Sequence, residues 1–236
     1  MDTLKIISGA MEQAQAAKKQ GVTSVRLPVL SFTEYCRVFE HEDDFSSRQA
    51  HRAHQKRNFY FKRFLENQGI DVTMVTCRSH ELATWAREHE HALNTDRERT
   101  HALAHFVSRP DLPPAACVHK RPLTAAMADS GLELYATITT YGESPERPEV
   151  LSTAVHTQEG QVVESLEILA VDHSPQEAFG LCSDFMAKHG VVNAFHDSTV
   201  RRPEFCPDCG ELLVNVAGLS EYDRLDKQFD NIEDIQ

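Results

Sequence analysis

The absences in this sequence narrow the field first. No apolar run reaches the roughly 18 residues that a membrane-spanning helix needs, so no membrane span is expected. Only 10 of the 236 residues are glycine, and no phosphate-loop glycine pattern is present. That removes most nucleotide-cradling loops from consideration. The H-E-x-x-H and G-x-S-x-G signatures are also missing, which removes their zinc-protease and serine-hydrolase readings. There is one tryptophan, Trp85, no internal repeat and no low-complexity tract. The opening MDTLKIISGAMEQAQAAKK lacks the basic start, apolar middle and small-residue end of a secretion signal. It is expected to be the first helix of the protein. Four of the six cysteines, Cys36, Cys77, Cys117 and Cys182, are isolated from one another, unlike the dense spacing of a small secreted disulfide scaffold. Reduced thiols and a cytoplasmic location are the expectation.

Charge is present but unevenly placed. Residues 1–110 hold 16 Lys/Arg and 14 Asp/Glu, whereas residues 111–236 hold 8 and 22. The acidic second half argues against broad coating of nucleic acid by that half, because phosphate binding needs positive charge. The sign changes at Arg109-Pro110-Asp111-Leu112-Pro113-Pro114, where three prolines in five residues cannot continue a helix. This stretch is the expected boundary between two subdomains, 1–110 and 115–218, followed by an acidic segment, 219–236.

The patterning predicts an α+β fold. In the first part, helices are expected over 3–19, from Ser31 to about Glu40, from Ser46 or Ser47 to about Gln68, from Ser79 through Trp85, and from Thr95 to before Pro110. Ser31–Glu34 and Thr95–Glu98 both read as capping boxes. Between the helices lie two apolar strand candidates, Ser24–Leu30 and Val72–Cys77, expected to pair in parallel. The second part changes period. Segments 132–141, 149–157 and 162–171 are expected to form an antiparallel meander, with Glu159-Gly160 as a turn. Ser174-Pro175-Gln176-Glu177 then opens a helix to about Lys188, stopped by Gly190.

The most informative stretch is Phe205-Cys206-Pro207-Asp208-Cys209-Gly210-Glu211-Leu212-Leu213-Val214. Two cysteines separated by two residues place both thiolates on one side of a tight turn. The following glycine tolerates positive φ, which lets backbone N–H groups point at the sulfurs. The stretch resembles the C-P-x-C-G knuckle of zinc ribbons and rubredoxins. The resemblance spans about eight residues and implies a bound metal, usually structural zinc. Those families carry two knuckles and this chain carries one, while structural zinc takes four protein ligands. Cys182, His189 and His196 are the nearest upstream donors, and Cys182 and His196 complete the expected set with Cys206 and Cys209. One arrangement places His196 and Cys206 on adjacent strands of a ribbon-like hairpin. Another is a homodimer in which each chain gives two ligands. C-P-x-C also opens the helix of thioredoxin-like redox sites, but Gly210 and the apolar run after it favour a turn and a strand. A knuckle that has lost its metal is the remaining reading.

Three further features carry candidate roles. Arg48, Arg52, Lys56, Arg57, Lys62 and Arg63 alternate with Phe59, Tyr60, Phe61 and Phe64, a mixture suited to nucleic acid or another anion. The competing reading makes Ala50, Ala53, Phe61, Phe64 and Leu65 a core face, with the cations solvated or paired with acids. His80, His89, His91, His101 and His105 fall in one two-helix region. His101 and His105 share a helical face, where they would suit a metal or proton transfer if His89 or His91 joined them. Residues 219–236 read as an acidic amphipathic helix that docks on its own body or on a protein partner. Two functions follow. The first is a zinc-stabilised binding or adaptor protein contacting a protein or nucleic-acid partner. The second is a metal- or histidine-dependent hydrolase with its site near the His89–His105 helices.

Overall fold

A computed structural model describes residues 3–116, 133–191 and 194–214. The acidic segment 219–236 lies outside them. The fold is α+β, and the chain divides into two compact units. Met1–Cys117 together with Phe205–Leu212 forms one, and Val118–Glu204 with Leu213–Gln236 forms the other. The cysteine knuckle is therefore grouped with the N-terminal unit and not with the strands that precede it in sequence.

In the N-terminal unit, α1 (Thr3–Lys19) leads into β1 (Ser24–Val29) and α2 (Phe32–Phe39). The long α3 (Phe45–Asn67) is followed by β2 (Asp71–Thr76), α4 (Ser79–Glu88) and α5 (Asp96–Val107). β1 and β2 pair in parallel from Ser24↔Asp71 to Val29↔Thr76. The strands are short and apolar and are separated by helices, which is the condition for a parallel crossover. Behind them lies a core of Leu30, Val75, Leu82, Trp85, Leu103 and Phe106.

Helix starts follow local chemistry, with two differences from expectation. Thr95 forms the full capping box with Glu98. At α2, Ser31 accepts from Glu34 N–H, but the Glu34 carboxylate does not return. It takes the Ser79 N–H and pairs with Arg37 at 2.9 Å. A long-range donor has outcompeted the local one. At α3 the cap is Asp44, whose carboxylate accepts from Ser47 N–H at 2.7 Å, and neither Ser46 nor Ser47 serves. The helix begins two or three residues earlier than expected because the last acid of the 42–44 loop is the better-placed acceptor.

The C-terminal unit holds β3 (Tyr135–Ser144), β4 (Arg147–His156), β5 (Val162–Leu169), α6 (Pro175–Lys188) and β6 (Ala194–Arg201). β3, β4 and β5 form the expected antiparallel meander. The sheet order is β5-β4-β3-β6, with β6 parallel to β3. β6 lies outside the expected meander: His, Asp, Ser and Thr leave it too few apolar positions to read as a strand from its own pattern, and only one metal-site arrangement placed His196 on a strand. α6 covers one sheet face, packing Ala178, Cys182 and Phe185 on Ala136, Ile138 and Ile168. Its start is the full Ser174–Glu177 capping box with Pro175 in the first turn. We expect Thr95→Ala and Ser174→Ala each to lower the stability of their own unit by about 1 kcal/mol in chemical denaturation. An unchanged midpoint would contradict the capping assignment.

Candidate functional site: the cysteine knuckle and the histidine cluster

The knuckle is a closed turn. Gly210 N–H donates to Cys206 O at 2.9 Å, and Cys206 N–H donates to Glu211 O at 2.8 Å. Phe205 and Leu212 face each other in an antiparallel bridge. Gly210 has φ 73°, and a β-carbon there would lie 3.0 Å from Met74 Cε. The left-handed backbone is what favours glycine here, and the Met74 terminal methyl would have to give by a few tenths of an ångström for any β-carbon. Cys206 and Cys209 are buried, and neither is in a disulfide.

The turn is fixed to the N-terminal unit from three directions. Thr76 at the end of β2 donates its hydroxyl to Asp208 O at 3.2 Å. The Phe205 ring packs on Phe59 of α3 at 5.2 Å between centroids. The Glu211 carboxylate binds Lys62 Nζ at 2.5 Å and Arg63 at 3.3 Å. Leu212 is fully buried beside these contacts.

These contacts settle the roles of several basic-helix residues. Lys62 and Arg63 also pair with Glu66 at 3.1 and 3.2 Å, while Arg48 pairs with Asp43 at 2.6 Å. Phe59, Tyr60, Phe64 and Leu65 are buried, so their faces are not open for stacking bases. Arg52 and Arg57 remain exposed on α3.

The expected further metal ligands lie in the C-terminal unit. Cys182 is fully buried on α6 within the core formed with Ile138, Ile168 and Ala178. Burial pushes its thiol pKa up. His196 is exposed on β6 with its ring edge to Phe179. His189 caps the end of α6 with Nε2 3.1 Å from Glu164. β6 pairs with β3, and the bridge at the knuckle joins Phe205 to Leu212. Among the described residues, no three His, Cys, Asp or Glu side chains are already arranged as a metal-ligand group.

The histidines of α4 and α5 do converge. Trp85 is sandwiched between the rings of His89 and His91, at 4.7 and 4.8 Å. His101 and His105 bring their Nε2 atoms to 3.2 Å. The His91 ring lies 5.3 Å from that of His105 and 6.1 Å from that of His101. Partial desolvation, with the neighbouring His105, His101 and His89, holds the His91 pKa below its ordinary value. An open pocket of about 670 Å³ adjoins, lined in part by His91, Asp96, Glu98 and His101. The two carboxylates have structural duties, since Asp96 pairs with Arg99 and Glu98 caps α5. The i, i+4 spacing made the His101–His105 pair legible, whereas the part of Trp85 in orienting His91 left no sequence signal.

Compared with family models, curated proteins and solved structures, the chain gives no match, so its function is argued from this geometry alone.

Proposed function

We propose that the chain is a zinc-stabilised binding protein, in which Cys206 and Cys209 supply two ligands of a structural zinc site. The observation that supports this is the turn itself. It has two buried thiols three residues apart, a left-handed Gly210 after the second, and a rigid seat on β2 and α3. Thiolates are soft donors suited to zinc, and a closed structural site takes four of them or a mixture with imidazole. No helix among the described residues is long and apolar enough to cross a membrane. The partner is a protein or a nucleic acid, met through the exposed arginines of α3 or the acidic segment 219–236.

The second pair of ligands has several sources in this reading. Cys182 and His196 are the sequence candidates, and a second copy of the chain is another.

Elemental analysis of the purified protein, with its mass in solution, tests the proposal. One zinc per monomeric chain that is lost in Cys206→Ser supports four ligands from one chain, and half a zinc per chain in a dimer, lost in the same variant, supports sharing. Cys206→Ser and Cys209→Ser are each expected to abolish stoichiometric zinc. Cys182→Ala and His196→Ala test the two proposed further ligands. Absence of zinc from protein prepared without chelator would overturn the reading.

A further inference from the structure

The His101–His105 pair has a geometry that its surroundings do not explain. Both side chains are exposed, on a face of α5 that packs no core. Their Nε2 atoms nevertheless face each other at 3.2 Å. Two imidazoles bound to one ion through bonds of about 2.05 Å place their nitrogens about 2.9 Å apart at a right angle and about 3.4 Å apart at the tetrahedral angle. The observed separation falls within that bite. Ring centroids on a shared ion would stand about 4.5–5.2 Å apart by the same construction. The observed centroid distances are 4.4 Å for His101–His105, 5.3 Å for His91–His105 and 6.1 Å for His91–His101. The Nε2 atoms of His101 and His105 are at chelating distance, while none of the three centroid separations falls within that range, so all three rings must turn to converge on one ion.

We propose that His101 and His105 chelate a divalent late-transition-metal ion, with His91 as third ligand, at a site separate from the cysteine knuckle. The i, i+4 spacing on α5 makes the pair a preformed chelate, because one helical turn holds both Cα atoms in register. His91 is preoriented by its stack on Trp85, which is itself buried against Phe106. Imidazole donors suit nickel, copper and zinc, with copper bound most tightly. Three imidazoles leave at least one coordination position for water or an oxygen ligand entering from the adjoining pocket. Asp96 and Glu98 line that pocket without acting as ligands, and they add negative charge that favours a cation. The alternative role for the pair is an Nε2–H···Nε2 hydrogen bond between two neutral rings. That arrangement has no use for His91 and predicts no ion.

Calorimetric titration of the untagged, full-length chain with Ni²⁺ separates the two. Wild type and Cys206→Ser/Cys209→Ser are both expected to bind one Ni²⁺ at this site, so loss of the knuckle leaves the result unchanged. His101→Ala/His105→Ala is expected to lose that equivalent entirely, and His91→Ala to bind about tenfold more weakly or worse. The three side chains lie outside the core, and circular dichroism is expected to show native folding in each variant. Equal Ni²⁺ affinity in wild type and His101→Ala/His105→Ala would overturn the proposal. So would a folded wild-type chain that binds no Ni²⁺. A knuckle that proves metal-free would leave this result untouched.

Discussion

Glu211→Ala is expected to lower the stability of the N-terminal unit by about 2–3 kcal/mol and to release the knuckle from its seat. The Glu211 carboxylate lies 2.5 Å from Lys62 Nζ and 3.3 Å from Arg63, and the three side chains are only 20%, 11% and 19% exposed. Removing the acid takes one carboxylate away from two poorly solvated cations that also pair with Glu66, at 3.1 and 3.2 Å. A fully buried pair broken on one side costs about 3–5 kcal/mol, and the surviving Glu66 reduces that figure. The loss should appear in urea denaturation as a lower midpoint at unchanged slope. Lys62→Met on the Glu211→Ala background should recover part of it, since an apolar chain there no longer needs a counter-charge. If Glu211→Ala denatures like wild type, the triad does not hold the knuckle. Loss of stoichiometric zinc from this variant would further show that the seat and the metal site are coupled.

The second large effect is acid destabilisation through buried and half-buried histidines. His54 sits in α3 among Tyr35, Phe39 and Asn58. Burial, with Arg57 and His51 adding, holds its pKa down at about 3. His51 is also lowered by burial, although its Nε2–H donates to Leu30 O at 2.9 Å. A histidine kept neutral in the fold and free to protonate when unfolded contributes stability above its unfolded pKa of about 6.5. That contribution is lost as pH falls below this value towards the folded pKa. For His54 alone the loss between pH 7 and pH 5 is about 2 kcal/mol. His156 adds an effect of the same sign in the C-terminal unit. Its ring is fully buried, with Nε2 accepting from Thr137 at 2.9 Å and Nδ1–H donating to Thr157 O, and burial lowers its pKa. Denaturation midpoints measured from pH 7.5 to 4.5 check this. His54→Gln should flatten the slope for the N-terminal unit, and a slope unchanged by His54→Gln would contradict the assignment.

The legible parts of this molecule are those decided within a few residues. Thr95–Glu98 and Ser174–Glu177 cap as their spacing implies, because both partners lie in the same turn. Gly21, Gly69 and Gly190 all take positive φ at the ends of elements, as helix-stop glycines do. The Cys206–Gly210 turn is closed by hydrogen bonds between near neighbours, with Gly210 at positive φ. What could not be read depends on partners far away in the chain. Glu34 meets Ser79 across 45 positions, and Glu211 meets Arg63 across 148. Nothing local distinguishes Glu211 from the other acids of the second half. β6 is hidden for a related reason, because its strand character comes from the β3 ladder and not from its own alternation. The histidine cluster was half legible. His101 and His105 follow from helical spacing, but His91 reaches them only because Trp85 fixes its ring.

X-ray absorption at the zinc edge of the stoichiometrically loaded protein tests the central claim most directly, since sulfur and nitrogen ligands differ in distance. The knuckle reading predicts a first shell with at least two sulfur neighbours at about 2.3 Å, both lost in Cys206→Ser/Cys209→Ser. A first shell made only of nitrogen and oxygen at about 2.0–2.1 Å would contradict it.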